Sequence, residues 1–443
     1  MKNKIHNNFS KTQKIYLSNS DVINNIIWLF LDKAIRLGVG FFIGTWFARY
    51  LGVEQFGIYN YVIAFVSIFG TLASLGMNGI IVRDLVNTPK DRDKIISSIL
   101  TVLLISGSLA YLINIVTVHV INKDLIIKVL ISIYGLTLIS KASDIIRFYF
   151  EAQIKSKYVV VVENIVFIVI SSLKIMMILM HTTLIYFIWL AVFETFITSF
   201  GLIFIYYKFI SKSIKWIIDR KYIKRALKDS IPIFLSAVGI SIYMRIDQVM
   251  LGQILGNESV GVYSAALRLS ELWYLIPTII ISSAFPKILR SKSVDISKYN
   301  NQIIKVLKSL NFISIIIIGI TSLFSVQIIL LVYGNEYLAS ANVLIIHIWT
   351  GLFVGLGIMG GNWYIANNLQ KIVFYRTLIG AGLCVFLNLF LIPKYGPMGA
   401  AISTLISQAF SNYIFDAFSK KTRELFNIKT RSFFYKNTTI SQV

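Results

Sequence analysis

Residues 245–263 read RIDQVMLGQILGNESVGVY, and the second half of this stretch has an earlier counterpart at 51–59, LGVEQFGIY. Aligning 255–263, LGNESVGVY, with that counterpart gives five identities in nine positions, 204 residues apart. Each copy joins two long apolar segments. Because a match at equivalent junctions indicates an internal repeat, the sequence predicts a chain of two related halves.

The composition is typical of a membrane protein. Of 443 residues, 56% are hydrophobic and 14% are charged, whereas soluble domains have about 25% charged residues. Apolar runs of about eighteen residues or more recur, which is long enough to cross a hydrocarbon core of roughly 30 Å as a helix. Such runs are too long for membrane-barrel strands of about ten residues. The sequence therefore predicts a polytopic helical membrane protein.

Twelve apolar segments follow one another along the chain. They run approximately over 26–50, 57–80, 95–118, 125–146, 158–180, 184–207, 230–252, 261–286, 304–332, 341–366, 373–392 and 397–417. Basic loops alternate with short loops that have few basic residues, so the positive-inside rule places both termini in the cytoplasm. We predict an all-α integral membrane fold with 12 transmembrane helices. Two six-helix halves, related by a pseudo-twofold axis along the membrane normal, would surround a central cavity.

The predicted organisation has an N-terminal half at 1–207, a basic cytoplasmic linker at 208–229, and a C-terminal half at 230–443 that ends in a basic tail. The net charge of +23 is concentrated in the cytoplasmic loops, which indicates attraction to anionic membrane lipids rather than nucleic-acid binding. The only cysteine is Cys384, and the chain contains no P-loop or HExxH motif. We therefore expect no metal and no cofactor.

Charged residues inside the apolar segments are the most informative, because each one near a helix centre costs about 2.5–3.5 kcal/mol. Asp32 and Arg36 are four residues apart and share a helix face, so they can pair. Arg245 and Asp247 cannot share a face, and we expect Asp247 to pair with Arg268 instead. These residues should face protein or water rather than lipid.

Other charges leave alternatives open. Lys174 has no obvious partner within its own helix, which indicates a polar cavity or an acid from another helix. Arg49 lies near a helix end and could extend to the membrane interface instead. A charged stripe at the cytoplasmic end of the fourth span is typical of a self-paired helix that continues past the membrane. Its members are Lys141, Asp144, Arg147, Glu151 and Lys155.

Two stretches carry a family resemblance, ARYLGVEQFGIYNY at 48–61 and YMRIDQVMLGQILGNESVGVYSAA at 243–266. With the predicted spans, they resemble the polysaccharide transporter branch of the multidrug/oligosaccharidyl-lipid/polysaccharide exporter superfamily, the Wzx-type flippases. The resemblance implies transport of undecaprenyl-pyrophosphate-linked oligosaccharide repeat units of O-antigen, capsule or exopolysaccharide. Movement would run from the inner to the outer leaflet of the bacterial cytoplasmic membrane by alternating access. A polymerase and a chain-length regulator of the same pathway would be partners.

Such a substrate carries a pyrophosphate, whose oxygens are suitable partners for arginine and lysine side chains. The candidate substrate-binding residues are Arg36, Lys33, Arg245, Arg268, Lys174 and Arg49. The candidate residues for charge balance or ion coupling are Asp32, Asp247, Glu271 and Glu194.

The sequence is compared with what three rival functions would require. A cation or drug antiporter of the same fold would need an apolar cavity with a few acids, and the excess of basic residues within the spans disfavours it. A lipid II flippase usually has more spans. A membrane polymerase or ligase would be expected to have long outer loops, which the sequence lacks. We therefore expect a transporter rather than an enzyme.

Overall fold

The computed structural model describes residues 19–121, 124–210 and 216–434, with side chains from residue 36 onward except residue 37. Within these ranges every regular element is a helix and no strand occurs. The all-α fold predicted from the apolar segments is confirmed.

The N-terminal half begins with α1 (Asn19–Ser74), a long helix interrupted by non-helical backbone at Gly52. It continues with α2 (Asn78–Asn87), α3 (Arg92–Ile121), α4 (Leu125–Gly135), α5 (Thr137–Ser140), α6 (Asp144–Ala152), α7 (Ser156–Leu179) and α8 (Leu184–Phe209). Short 3-10 turns lie at Pro89–Asp91 and Lys141–Ser143. The predicted fourth span is thus not one helix but a succession of short ones.

The C-terminal half begins with α9 (Arg220–Leu255), which starts inside the predicted linker. It continues with α10 (Asn257–Leu272), α11 (Leu275–Lys292), α12 (Ile296–Leu323), α13 (Ser325–Val332), α14 (Ser340–His347), α15 (Thr350–Ala366), α16 (Gln370–Tyr395), α17 (Pro397–Asn412) and α18 (Arg423–Phe434). Two 3-10 turns lie at Asn335–Tyr337 and Ile414–Ala417.

Ten helical segments in the described ranges are long and apolar enough to cross a membrane. One of them, Gly38–Asn87, contains parts of the first two predicted spans, and α17 has 16 residues. The multi-pass membrane character is confirmed. The count of 12, the pseudo-twofold axis and the division at 207 and 230 stay predictions.

In both copies of the sequence repeat the chain bends at the equivalent glycine. Gly52 has φ +70° and ψ 173°, and Gly256 has φ +89° and ψ 177°. Glycine adopts such positive φ values readily because it has no β-carbon. The repeat therefore fixes the same sharp change of direction between the first two helical segments of each half.

Five residues further on, the two copies touch backbone to backbone. A β-carbon built on Gly57 would lie 1.8 Å from the carbonyl oxygen of Asn257, and one on Gly261 would lie 2.0 Å from that of Val53. Neither position has room for a side chain. The repeat glycines thus join the two halves at the end of the molecule that the predicted topology places outside.

Arg49 reinforces this junction. Its Nε donates to the carbonyl oxygen of Val332 at 2.9 Å, and Nη2 donates to the carbonyl oxygens of Leu331 and Leu330. These are the last carbonyls of α13, where a cation also interacts favourably with the helix dipole. We call the Gly57 and Gly261 contacts, together with those of Arg49, the outer latch.

The end of the predicted linker is fixed to the opposite end of the N-terminal half. Lys94 Nζ lies 2.6 Å from an Asp219 carboxylate oxygen, and Arg83 Nη2 lies 2.9 Å from an Asp229 carboxylate oxygen. The hydrogen bond from Lys94 lowers the pKa of Asp219 to about 2, so this carboxylate is charged at neutral pH. The beginning of α9 is therefore tied to α2 and α3 by charge.

The terminal helix α18 is held by a buried ion pair. Lys429 Nζ lies 2.7 Å from an Asp416 carboxylate oxygen, and both side chains are fully buried. The same Nζ donates to the carbonyl oxygen of Asn412 at 2.6 Å. Burial lowers the pKa of Lys429 to about 8, so most of it is charged at pH 7. This pair fastens α18 to the end of α17.

We expect Gly57→Ala to destabilise the protein by about 1–3 kcal/mol, because the added methyl group overpacks the outer latch. The thermal unfolding temperature in detergent would fall accordingly. Gly70→Ala is the matched control, since Gly70 lies in the same helix with open space around it and alanine is the better helix former. Equal unfolding temperatures for the two variants would show that the contact at Gly57 is not tight.

Candidate functional site

A polar cavity of about 300 Å³ lies inside the N-terminal half, between α1, the broken fourth span, α7 and α8. Its lining residues are Arg36, Tyr134, Thr137, Ser140, Lys141, Ser143, Asp144, Arg147, Glu163, Glu194, Thr195, Thr198, Ser199 and Leu202. Charged or hydroxyl-bearing side chains make up nearly the whole wall. We call this space the hydroxyl compartment.

A smaller space of about 140 Å³ adjoins it and shares Glu194. It contains Lys174 from α7 and Arg268 from α10, together with Gly40 and Gly44 of α1. We call it the cation compartment. Since Arg268 is the one lining residue here from the C-terminal half, the combined cavity is built from both halves of the chain.

A chain of ion pairs crosses the hydroxyl compartment. One carboxylate oxygen of Glu163 lies 3.1 Å from Arg36 Nη2, and the other lies 2.6 Å from Arg147 Nη2. Arg147 also lies 3.7 Å from Asp144, which is 4.0 Å from Lys141. The Glu163 side chain is only 12% exposed. Its charge is therefore balanced by two arginines from different helices.

Lys174 is held by aromatic rings rather than by an acid. Its Nζ lies 3.8 Å from the centre of the Phe47 ring and 5.5 Å from that of Tyr59. No ion pair to Lys174 occurs among the residues that the structure describes. A cation over an aromatic face is stabilised by the ring quadrupole, which leaves the ammonium protons available to a ligand.

Arg268 reaches the cation compartment by crossing α1 at Gly44. A β-carbon on Gly44 would lie 2.7 Å from Arg268 Nη1, so any larger residue would displace the guanidinium from this position. The guanidinium carbon lies 5.3 Å from the centre of the Phe56 ring. Gly44 therefore serves the passage of this side chain, a role beyond the helix packing for which glycines in spans are common.

The combined cavity carries a surplus of positive charge. Among the residues whose side chains the structure describes, five basic ones line the two compartments, against three acidic ones. The basic ones are Arg36, Lys141, Arg147, Lys174 and Arg268, and the acids are Asp144, Glu163 and Glu194. If every group is ionised, the net charge is plus two. An environment of this kind attracts an anion.

The predicted site residues are distributed over several places. Arg36, Lys174, Arg268 and Glu194 come together in the cavity; their roles in binding and charge balance stay predictions. Arg49 instead belongs to the outer latch. The side chains of Asp32 and Lys33, and hence the predicted Asp32–Arg36 pair, lie outside the described residues. Arg245 and Glu271 do not line either compartment.

Asp247 lies in a separate network in the C-terminal half, and the expected pair with Arg268 is not formed. One carboxylate oxygen accepts hydrogen bonds from Asn388 Nδ2 at 2.6 Å and from Cys384 Sγ at 3.2 Å. The other accepts from the Tyr263 hydroxyl at 2.8 Å and from Thr404. Asp247 is 3% exposed, and no basic side chain pairs with it within the described part of the chain. Its negative charge is met only by neutral donors.

Several cavity residues were not predicted as site residues. The stripe from Lys141 to Arg147 is self-paired as expected, but it faces the cavity rather than only extending past the membrane. Glu163 of α7 pairs with Arg147 of this stripe and with Arg36 of α1, so it connects both helices to the stripe. The sequence does contain a sign of this role, because the stripe begins inside an apolar segment. Charges at three- and four-residue spacing there indicate a helix face that lines a polar cavity, whereas a stripe that only faced water would begin outside the segment.

The family assignment rests on more than half of the chain. Residues 22–292 match the model of the family described as polysaccharide biosynthesis protein. The chain belongs to this family. Its matched region includes both copies of the sequence repeat and every residue of the two compartments.

Curated relatives agree with this assignment over shorter stretches. The probable low-salt glycan biosynthesis flippase Agl15 of Haloferax volcanii is 27% identical over 39% of this chain and 37% of its own length. The capsular polysaccharide biosynthesis protein CapF of Staphylococcus aureus is 27% identical over 40% of this chain and 44% of its own length. The chain thus aligns with less than half of the length of these relatives.

Solved structures show the same fold along nearly the whole chain. The lipid II flippase MurJ in an inward closed conformation gives a TM-score of 0.70 at 19% identity, covering 93% of this chain and 91% of its own. An inward-facing multidrug resistance MATE family transporter of the MOP superfamily gives 0.68 at 15% identity, covering 94% and 99%. The protein therefore has the fold of the MOP superfamily, as the resemblance in the sequence implied.

We expect Glu163→Gln to destabilise the protein by about 2 kcal/mol, because Arg36 would lose a charged hydrogen-bond partner and Arg147 would lose an ion-pair partner. Thermal unfolding in detergent measures the change. The control is Glu151→Gln, which removes the same charge from an exposed position on α6. If both variants unfolded at the wild-type temperature, the ion-pair chain would contribute nothing to stability.

Proposed function

We propose that this protein is a flippase for undecaprenyl-pyrophosphate-linked oligosaccharide repeat units in the bacterial cytoplasmic membrane. The observation that carries the proposal is the cavity lined by five basic and three acidic side chains of the described residues, to which both halves contribute. A transported group that carries a diphosphate brings the opposite charge. The family and the coarse function of its relatives, glycan and capsule biosynthesis, support the same conclusion.

The cation compartment is suited to the diphosphate. Lys174 offers an ammonium without an acidic partner among the described residues, and Arg268 offers a planar guanidinium that can bind two phosphate oxygens at once. Arg36, on the same helix as Gly44, would contribute from the adjoining compartment. Lys33 and Arg245 stay proposals for the same role in other states of the transporter, and Asp32 and Glu271 for balancing their charge.

The state of the molecule supports alternating access. The outer latch holds the two halves together at the predicted outer end. Side chains at the predicted cytoplasmic end of the hydroxyl compartment are partly exposed, with Lys141 at 48% and Arg147 at 42%. The cavity would therefore receive its ligand from the cytoplasmic side. Release outside would require the outer latch to separate as the two halves rock about the cavity.

We further propose that Asp247 is the coupling acid. A buried carboxylate without a basic partner is unfavourable in its charged form, so a proton or a monovalent cation would stabilise it. Asn388 Oδ1 lies in the same network, is buried and has no hydrogen-bond partner among the residues that the structure describes, and it could serve as a second oxygen ligand. Binding and release at this network would then bias the two conformations.

The rival functions predict different sites. A cation or drug antiporter of the same fold should have an acidic or apolar cavity, which the positive surplus disfavours. A polysaccharide polymerase or ligase would be expected to have long outer loops, which the sequence lacks. A polymerase and a chain-length regulator would instead receive the flipped units.

Lys174→Met and Arg268→Gln should each reduce flipping at least tenfold, because a charged contact to phosphate contributes about 1.5–3 kcal/mol. The measurement is complementation of a deletion strain, in which surface polysaccharide and lipid-linked intermediates are followed together. Lys371→Gln is the control, because it removes one positive charge from an exposed position on α16. We expect this variant to produce surface polysaccharide at the wild-type level.

The deletion strain itself distinguishes the functions. Completed repeat units that accumulate on the cytoplasmic face establish a flippase. Single units displayed outside would indicate a polymerase, and unchanged polymer with altered drug efflux would indicate an antiporter.

Asp247→Asn should abolish the response of transport to an imposed ion gradient while leaving substrate binding intact, because the amide cannot take up a proton or hold a cation by charge. Proteoliposomes with sodium or proton gradients provide the measurement. Thr404→Ser, which keeps the hydroxyl donor to Asp247, is expected to behave like the wild type. Gradient-dependent transport in the Asp247→Asn variant would assign coupling to another acid, such as Glu194 or Glu271.

A further inference from the structure

The hydroxyl compartment has a wall of six Ser and Thr side chains that the diphosphate does not account for. Three come from the broken fourth span and three from α8. They are Thr137, Ser140, Ser143, Thr195, Thr198 and Ser199. In helices that face lipid such residues are ordinary packing elements, but here they surround a cavity together with five ion-paired charged groups.

The break in the fourth span brings its three hydroxyls to one side. The amide nitrogens of Leu136, Ile139 and Asp144 donate to carbonyls three residues earlier rather than four. Side chains three residues apart eclipse in such 3-10 geometry. Thr137, Ser140 and Ser143 are spaced by three and therefore form a column along the cavity wall. An unbroken α-helix would have rotated them progressively apart.

The hydroxyl protons of this wall are largely used within the protein. Thr198 donates to the carbonyl oxygen of Glu194, Ser199 to that of Thr195, and Ser140 to that of Thr137, each at 2.8 Å. A hydroxyl oxygen that has donated its proton still has two lone pairs. The wall therefore presents hydrogen-bond acceptors to the cavity, and the carboxylates of Glu163, Glu194 and Asp144 add more.

An acceptor-rich wall of this kind matches a ligand rich in hydroxyl donors. We propose that the hydroxyl compartment binds the sugar next to the diphosphate and that its Ser and Thr residues determine which sugar is accepted. This inference rests on the proposed function. Glu194 lines both compartments, so a sugar here would adjoin a diphosphate held by Lys174 and Arg268, as the covalent linkage of such a substrate requires.

The discrimination follows from the cost of unpaired polar groups. A site that hydrogen-bonds a hydroxyl rejects an analogue lacking it, because the buried polar groups of the site are then left unsatisfied. Arg36 and Arg147 supply donors at fixed positions, since both are held by Glu163. The arrangement of donors and acceptors can therefore distinguish sugars that differ in the position of one hydroxyl or acetamido group.

The test compares two probes on the full-length protein in detergent: undecaprenyl diphosphate alone, and undecaprenyl diphosphate bearing N-acetylglucosamine or galactose. The wild type should bind at least one sugar-bearing probe about tenfold tighter than the bare lipid. The Thr198→Val/Ser199→Ala variant should lose this difference, with an unchanged Kd for the bare lipid. Lys174→Met should weaken the binding of both kinds of probe equally.

Thr101→Val is the matched control, because Thr101 makes the same hydrogen bond to the carbonyl four residues earlier, at 2.8 Å, but does not line the cavity. It should keep the wild-type preference, which separates sugar binding from helix stability. A Thr198→Val/Ser199→Ala variant with the full preference for a sugar-bearing probe would overturn the inference. Equal wild-type affinity for all probes would also overturn it but leave the flippase proposal intact. Wild-type protein that binds no probe would contradict both.

Discussion

The structure depends on one constraint: a charge placed within an apolar helix bundle must be met by another charge, an aromatic face or hydrogen-bond donors. Each solution occurs here. Glu163 is met by two arginines, Asp416 by Lys429, Lys174 by aromatic rings, and Asp247 by neutral donors alone. The first two solutions are complete and stabilise the fold. The last two leave a charge that a ligand or ion can still satisfy, and these mark the positions where function is proposed.

The two halves divide these tasks unequally. The repeat gives both the same bend, at Gly52 and Gly256, and the same close approach at the outer latch. The positive cavity nevertheless lies almost wholly in the N-terminal half, whereas Asp247, whose carboxylate has no basic partner among the described residues, lies in the C-terminal half. Arg268 connects them, because it belongs to α10 but enters the cation compartment past Gly44. A movement of one half against the other would withdraw or insert this side chain, which links binding to conformation.

The fold alone does not assign the cargo, since a lipid II flippase and a multidrug resistance transporter share it. The proposed cargo rests instead on the chemistry of the cavity. Its positive surplus suits a diphosphate, and its acceptor-rich wall suits a sugar. An apolar cation would meet more basic than acidic side chains there. Together, the two compartments are better suited to bind an elongated anionic head group than a compact hydrophobic ligand.

The sequence by itself determined the membrane class, the internal repeat and the presence of costly charges, because hydrophobic length and repeated motifs are local properties of the chain. It also identified Arg36, Lys174, Arg268 and Glu194, since a charge inside an apolar run is visible without a structure. The tertiary structure decided which charges meet. Glu163 joins Arg36 to Arg147 across three helices, Asp247 and Arg268 lie in different networks, and Arg49 binds carbonyls of the other half. Pairings between distant helices depend on packing and on local breaks such as that in the fourth span, and no periodicity along a single helix encodes them.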